Sequence, residues 1–305
     1  MKEKIITIES QSIRVGIAAN LVMALSGWGV YYLSGSQALL LDGNMSFILF
    51  LSSIVALKIA TIKAVRSETF PFGLFVTEAL YSLVKGLLLL GVIISAFTSN
   101  GGKILQYLAG EPIAMIKTGP ILYYAVAMVA ICWGLSAFYY IQNKKLQGNS
   151  SMLAVDQKAS LIDGILSAST GAVLVVIGYI QQGSSWDFLL YIGDALLVVV
   201  LAISMLGQPV RIIKQAFVEL AGGKLQNDQQ HQTIAERVKQ TLTDNGLKAE
   251  SLNISKTGSS YLVIVGLSLE ALSIEQSGQV MSVKATLQGL LADDLTFVDV
   301  EMVLV

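Results

Sequence analysis

The stretch Met152–Ile180 reads MLAVDQKASLIDGILSASTGAVLVVIGYI, and it decides the class of protein to which the chain belongs. Its apolar run is long enough to cross the hydrocarbon core of a bilayer, which takes about 20 residues. Asp163 nevertheless lies well inside that run. A carboxylate at such a depth is costly, and residues of this kind mark ion and proton pathways in membrane proteins. The stretch therefore predicts a membrane-spanning helix with a functional acid.

The composition of the whole chain agrees with a lipid environment. Of its 305 residues, 54% are hydrophobic and only 13% are charged, and the mean hydropathy is +0.66. Soluble domains usually carry about 25% charged residues. We therefore predict an integral membrane protein. The polar segment Met1–Ser12 lacks the short apolar core and small-residue cleavage site of a secretory signal, so we expect no cleavable signal peptide.

Six apolar runs are long enough to span a bilayer. They lie at Ile13–Leu33, Gln37–Ile62, Ala79–Phe97, Gly119–Ile141, Leu153–Ile180 and Phe188–Leu206. After Gly222 and Gly223 the composition changes to mixed charge, beginning with Lys224. The sequence thus predicts an all-α membrane bundle over residues 1–222 and a cytoplasmic domain over residues 223–305.

The basic residues predict the orientation of the spans, because Lys and Arg in short loops stay on the cytoplasmic side. Basic residues lie beside the first, second, fourth and sixth spans: Lys2, Lys4, Arg14, Lys63, Arg66, Lys144, Lys145, Arg211 and Lys214. The opposite loops are Ser34–Ser36, a longer loop around Asn100–Pro112 and Gln181–Trp186, which has no basic residue. We expect both termini in the cytoplasm and the protein in an inner or plasma membrane.

The C-terminal region has the pattern of an α-β-β-α-β unit. Periodicity predicts a helix over Thr233–Leu242, extended runs around Leu252–Ile254 and Leu262–Ile264, a helix over Ser273–Leu291 and an alternating strand over Val298–Leu304. Ser273 is the expected N-cap of the second helix. The predicted fold of this domain is α+β and ferredoxin-like.

Several local motifs resemble those of the cation diffusion facilitator family. They are LSGSQALLLDG at Leu33–Gly43, FPFG at Phe70–Gly73 with Glu78 after it, AVD at Ala154–Asp156 leading to Asp163, and YIGD at Tyr191–Asp194. The resemblance covers nearly the whole chain. It implies a transporter that exports a divalent metal cation, in exchange for protons, and that forms a homodimer through its cytoplasmic domain.

The family's metal site does not carry over intact. It pairs a His/Asp-x-x-x-Asp motif on the second span with another on the fifth, and these positions fall on Met45, Leu49, Ala159 and Asp163. Histidine ligands of the family's cytoplasmic domain are also replaced in Val298–Met302, and the chain has one His and one Cys in all. This departure argues against a tight zinc site and favours a harder ion or loose selectivity.

A displaced site can be drawn from the antiparallel arrangement of the second and fifth spans. If Asp163 faces Met45, then residue 42 lies about one turn further out and residue 167 lies near it, since each residue rises about 1.5 Å. The predicted metal-site residues are Asn20, Asp42, Met45, Ser46, Asp163 and Ser167. Two carboxylates in a low dielectric share a proton when empty and release it when a cation enters, which predicts metal–proton exchange.

Several of these residues also have a purely structural interpretation. Asp42 is equally well explained as the cap of the helix that follows Ser34–Ser36. Asp156 is explained better as an interfacial charge than as a ligand. Met45 and Ser46 alone would be ordinary helix-packing residues.

Lys85 supplies an alternative function. It either extends to the inner membrane surface or points inward, where its ammonium group would replace the metal and pair with Asp163 or Asp156. The second arrangement predicts a non-transporting partner or regulatory subunit with the same fold.

Other functional classes have less support. The sequence has no nucleophile–base pair, phosphate loop or HExxH helix, and Ser167–Gly171 is typical of close helix packing. We therefore expect no enzyme and no cofactor beyond the transported cation, with intramembrane catalysis by Asp42 and Asp163 as a lesser alternative. The net charge of −1 and the lack of a basic patch in the tail argue against nucleic acid as a partner. Acidic residues of the tail are candidates for metal binding between two tails or for a solvated edge: Asp293, Asp294, Asp299 and Glu301.

Overall fold

The computed structural model describes residues 2–63, 65–70, 73–117, 119–145, 151–268, 274–295 and 297–305. Within these residues, six helices are long and apolar enough to cross a membrane, as the sequence predicts. The chain forms two compact units, one made of residues 1–55 and 87–209 and the other of residues 56–86 and 210–305. Ser273, Pro71 and Phe72, which the sequence assigns to a cap and a turn, lie outside the described residues.

The long helices are α1 (Lys2–Ser34), α2 (Gln37–Ile62), α3 (Val76–Leu108), α4 (Gly119–Lys145), α5 (Ser151–Gly178) and α6 (Phe188–Met205). A shorter helix, α7 (Gly207–Leu220), follows α6 after a single residue. Every predicted span falls mainly within one of the six long helices.

The expected loop around Asn100–Pro112 is wrong in its first part, because α3 continues as a helix to Leu108. Its polar residues suggested a loop, but Asn100 is buried in the helix and donates a hydrogen bond of 2.8 Å to the carbonyl of Ala96. The helix ends just before Gly110, which adopts a φ of 82° that favours glycine.

Small residues allow close approach of helices in the first unit. A Cβ atom on Gly171 of α5 would lie 2.3 Å from the Cβ of Ala125 on α4. On the other side of the bundle, a Cβ on Gly27 of α1 would lie 2.8 Å from the Cα of Gly43 on α2. Since real side chains cannot approach this closely, glycine at these positions fixes the spacing of both helix pairs.

The second unit contains the α-β-β-α-β region that the sequence predicts. Its elements are α8 (Asp228–Asp244), β1 (Ala249–Thr257), β2 (Ser260–Leu267), α9 (Ile274–Ala292) and β3 (Phe297–Leu304). Strand β2 lies in the middle of the sheet, antiparallel to β1 and parallel to β3. Helix α8 begins earlier than predicted, because the side chain of Asn227 accepts a hydrogen bond from the backbone of Gln230 and caps it.

The core of this region comes from alternating strand residues and from one face of each helix. Its most deeply buried members include Val238, Ile254, Val263, Leu287 and Val300. The same unit contains the ends of α2 and α3 that adjoin the FPFG segment. There Glu78 pairs with Lys63 at 2.8 Å and accepts hydrogen bonds from the backbone and hydroxyl of Ser259 at 2.6 and 2.7 Å. The turn between β1 and β2 is therefore bound to these helix ends.

Candidate cation site

A cavity of about 250 Å³ lies among the helices of the first unit, with lining residues from each of α1 to α6. The structure brings all of the predicted site residues to this one cavity: Asn20, Asp42, Met45, Ser46, Asp163 and Ser167. The positions that carry ligands in the family's motif also line it, as the apolar side chains Met45, Leu49 and Ala159. The part that these residues play in binding a metal stays a prediction.

Asp42 lies on α2 and is held by a tyrosine from another helix. The phenolic hydroxyl of Tyr124, on α4, donates a hydrogen bond of 2.6 Å to Asp42 Oδ2. Tyr124 is only 5% exposed, so this bond lies away from bulk solvent. The alternative in which Asp42 caps α2 is wrong, because the backbone N–H groups in the first turn of α2 donate their hydrogen bonds to a different carboxylate.

Asp163 lies on α5 and lines the same cavity as Asp42. Ser167 is one turn further along α5, so both side chains share a helical face. Next to Asp163 in sequence, Gly164 packs so closely against α4 that a Cβ would lie 2.3 Å from Trp133 Cδ1. Asp163 remains partly accessible in a single copy of the chain, and an ion that enters the cavity can reach it.

The acceptor at the start of α2 is Asp194, which sequence reasoning did not assign a role. Its carboxylate accepts hydrogen bonds from the hydroxyl of Ser36 at 2.7 Å and from the backbone N–H groups of Gln37 and Ala38. The side chain is fully buried. The interruption of helical structure at Ser34–Ser36 indicates that the N-terminus of α2 needs a capping acceptor. Nothing nearby in the sequence indicates that this acceptor is an acid on α6.

Sulfur side chains line the cavity as well, and of these the sequence predicted only Met45. The others are Met23, Met128, Cys132 and Met205. The sulfur atoms of Cys132 on α4 and Met23 on α1 lie 3.8 Å apart in a buried contact. In sequence these other residues look like any apolar positions of a span, so only the packing of the helices brings them together.

Lys85 lies on α3, where its ammonium nitrogen is 6.0 Å from the ring centroid of Tyr81. The described residues that line the cavity include no lysine or arginine. The structure therefore adds no support to the alternative in which the Lys85 ammonium group fills the place of a metal ion.

Within the described parts of the chain, no group of three or more His, Cys, Asp and Glu side chains is arranged to hold a metal ion. In the C-terminal region, Asp294 pairs with Arg237 and Glu301 pairs with Lys284. These acids have partners within the same chain.

The comparisons with known proteins agree with this architecture. A family model described as the cation efflux transmembrane domain matches residues 13–221, which is more than half of the chain. A comparison with curated proteins found no match. The matched region contains all of α2 to α6, most of α1 and the whole lining of the cavity. The chain belongs to the cation efflux family, which is the cation diffusion facilitator family that its motifs resemble.

Proposed function

We propose that the protein exports a divalent metal cation from the cytoplasm in exchange for protons, through the cavity between α2 and α5. Membership of the family makes the protein a cation efflux transporter in general terms and a member of a family of transporters rather than enzymes. The divalent cation, the exchange for protons and the carboxylate site are the parts that we propose. The observation that supports them most is the meeting of Asp42 and Asp163 at one cavity.

The chemistry of two carboxylates explains why protons would be exchanged. In a medium of low dielectric constant, two nearby carboxylates are costly to keep charged, so they hold protons when no cation is present. A divalent cation supplies the opposite charge and competes with the protons for the same oxygen atoms. Cation binding would therefore release protons, and the two flows would be coupled at Asp42 and Asp163.

The remaining oxygen donors suit a weakly selective site. Asn20, Ser46 and Ser167 line the cavity and offer neutral oxygen atoms beside the carboxylates. Tyr124 holds Asp42 in position. A site of mixed oxygen ligands without histidine favours harder ions over tightly bound zinc.

The arrangement in the membrane is part of the same proposal. We propose that both termini lie in the cytoplasm of a cell whose inner or plasma membrane holds the bundle, and that residues 223–305 form a cytoplasmic domain that pairs two copies of the chain. The distribution of Lys and Arg around the spans supports this orientation.

Flux measurements on the purified protein in lipid vesicles test the proposal. We expect Asp42→Asn and Asp163→Asn each to lower proton-driven flux of divalent cations by at least about 100-fold, since each substitution removes a charged ligand worth about 3 kcal/mol. Glu111→Gln is the matched control, because Glu111 is exposed and lies outside the cavity lining. Size-exclusion chromatography establishes that each variant is folded.

Flux at the wild-type rate in either aspartate variant would contradict the carboxylate site. A panel of Mg²⁺, Mn²⁺, Co²⁺, Zn²⁺ and Cd²⁺ identifies the cation. If the wild type transported none of these cations and none of them changed its thermal stability, the result would support the alternative of a non-transporting partner.

A further inference from the structure

The cavity has a second set of donor atoms besides the carboxylates. Four of the nine methionines of the chain and its single cysteine line it: Met23, Met45, Met128, Met205 and Cys132. These sulfur atoms come from α1, α2, α4 and α6, so they converge from different helices instead of following one helical face.

Two of the sulfur atoms are placed at a distance that suits one metal ion. Cys132 Sγ and Met23 Sδ lie 3.8 Å apart. Zinc–sulfur bonds are about 2.3 Å long, so two sulfur ligands of a tetrahedral ion of that size lie ~3.8 Å from each other. Both side chains are buried, with 2% and 7% of their surfaces exposed. The spacing of the two sulfur atoms is therefore compatible with their binding one ion.

The surroundings distinguish this pair from ordinary core packing. Methionine and cysteine often serve only to fill apolar interiors. Here both residues line a cavity that Asp42 and Asp163 also line, and the Cβ of Cys132 lies 3.2 Å from the place that a Cβ would take on Gly164, next to Asp163 in sequence. Two acids on the same cavity attract a cation toward the sulfur atoms.

We infer that Met23 and Cys132 form a sulfur subsite in this cavity that binds a soft monovalent cation of the Cu(I) and Ag(I) class. Thioether and thiolate sulfur are soft ligands that select such ions over hard ones. The thiol loses its proton when the ion binds, so a thiolate and a neutral thioether together balance one positive charge. Met45 and Met128 line the same cavity and are candidates for a third ligand.

The subsite rests on the proposed function only because it shares the cavity, and its test does not require transport. Calorimetric titration of the full-length protein in detergent with silver nitrate, in a chloride-free buffer, measures binding directly. We expect one Ag(I) ion per chain in the wild type. Cys132→Ala and Met23→Leu should each weaken binding at least tenfold, which corresponds to about 1.4 kcal/mol.

Met115→Leu is the matched control, because Met115 is exposed and is absent from the cavity lining. Leucine has nearly the volume of methionine, so Met23→Leu should fold normally. Met128→Leu is a second variant, and it shows whether Met128 supplies the third ligand.

A lone thiol also binds silver, and Met23→Leu separates this possibility from the subsite. Silver affinity equal to the wild type in Met23→Leu would overturn the inference. If that result were found while the protein still transported divalent cations in vesicles, the subsite would be overturned and the proposed function would stand. Methionine-dependent silver binding without flux of any divalent cation would overturn the proposed function alone.

Discussion

Asp42 and Tyr124 join α2 to α4 by a hydrogen bond of 2.6 Å at the wall of the cavity. The bond fixes the direction of one carboxylate that would bind the cation. A site that binds and releases an ion needs its ligand residues held within a fraction of an ångström. Neighbouring side chains that hydrogen-bond to the ligand residues hold them in place. We therefore expect Tyr124 to act on the proposed site as a positioning residue.

Tyr124→Phe should lower cation flux about tenfold while it changes the free energy of unfolding by only about 1 kcal/mol, because the ring still packs and only one hydrogen bond is lost. The measurement is the initial rate of flux over a range of cation concentrations, together with thermal unfolding. Tyr123→Phe is the control, since Tyr123 is 78% exposed. A flux that falls only in proportion to the loss of folded protein would argue against a positioning role.

Asp194 caps α2 and is not among the residues that line the cavity. Its two oxygen atoms accept three hydrogen bonds from Ser36, Gln37 and Ala38 at the start of α2. Asp194→Asn replaces one acceptor by an NH₂ group that cannot accept from a backbone N–H. We expect a loss of about 1–3 kcal/mol in the free energy of unfolding, which thermal unfolding in detergent measures.

The conservative change at an exposed acid, Glu111→Gln, provides the comparison for Asp194→Asn. Because α2 also carries Asp42, a shift of its first turn should lower cation flux in the same variant. An unchanged melting temperature in Asp194→Asn would show that the cap contributes little.

At the scale of elements, the packing of α4 against α5 brings residues of both helices to the lining of the cavity, among them Tyr124, Cys132 and Asp163. Gly171 permits this pairing, since its missing Cβ would lie 2.3 Å from the Cβ of Ala125. Neither atom belongs to a flexible side chain, so a methyl group at this position must move the helices apart.

Gly171→Ala should therefore destabilise the protein by about 1–3 kcal/mol, as overpacked sites do. Gly134→Ala on α4 is the matched control, because a Cβ there meets nothing within 4 Å. Alanine favours helix over glycine, so the control should be neutral or more stable by up to about 1 kcal/mol. The two melting temperatures, measured in the same detergent, decide the question; equal values would contradict the close contact.

The sequence predicts those elements whose signal is local. Length and hydropathy give the spans, and alternation such as that of Val298 and Val300 against Asp299 gives the strands of the second unit. Local composition gives the wrong prediction at Asn100, where the polar side chain hydrogen-bonds to the backbone of its own helix and the helix continues. It fails again at Asp194, whose partner Ser36 is 158 residues away in the chain.

The candidate site divides in the same way. Helical spacing and the family resemblance suffice to place Asp42 and Asp163 on one cavity, because both follow from the antiparallel geometry of α2 and α5. Met23 and Cys132 are different, since each looks in sequence like an ordinary apolar position of a span. Their proximity depends on the rotation of α1 and α4 about their axes, which one sequence does not specify.

At the scale of the whole molecule, export requires a definite orientation in the membrane. The family match covers residues 13–221, and the six candidate spans fall almost wholly within it. The segment Gln181–Trp186 between α5 and α6 has no Lys or Arg, whereas Lys144 and Lys145 lie in the last turn of α4. The bias toward positive charge on one side predicts that Gln181–Trp186 faces outward.

Labelling of single cysteines tests this orientation in a Cys132→Ala background. We expect a membrane-impermeant maleimide to label Ser184→Cys in intact cells, and to label Gln226→Cys only after the cells are made permeable, since positive residues keep the C-terminal region inside. Both positions are exposed in the structure, so access depends on the membrane rather than on burial. The Cys132→Ala parent shows the background. Labelling of Gln226→Cys but not Ser184→Cys in intact cells would reverse the orientation and turn the proposed exporter into an importer.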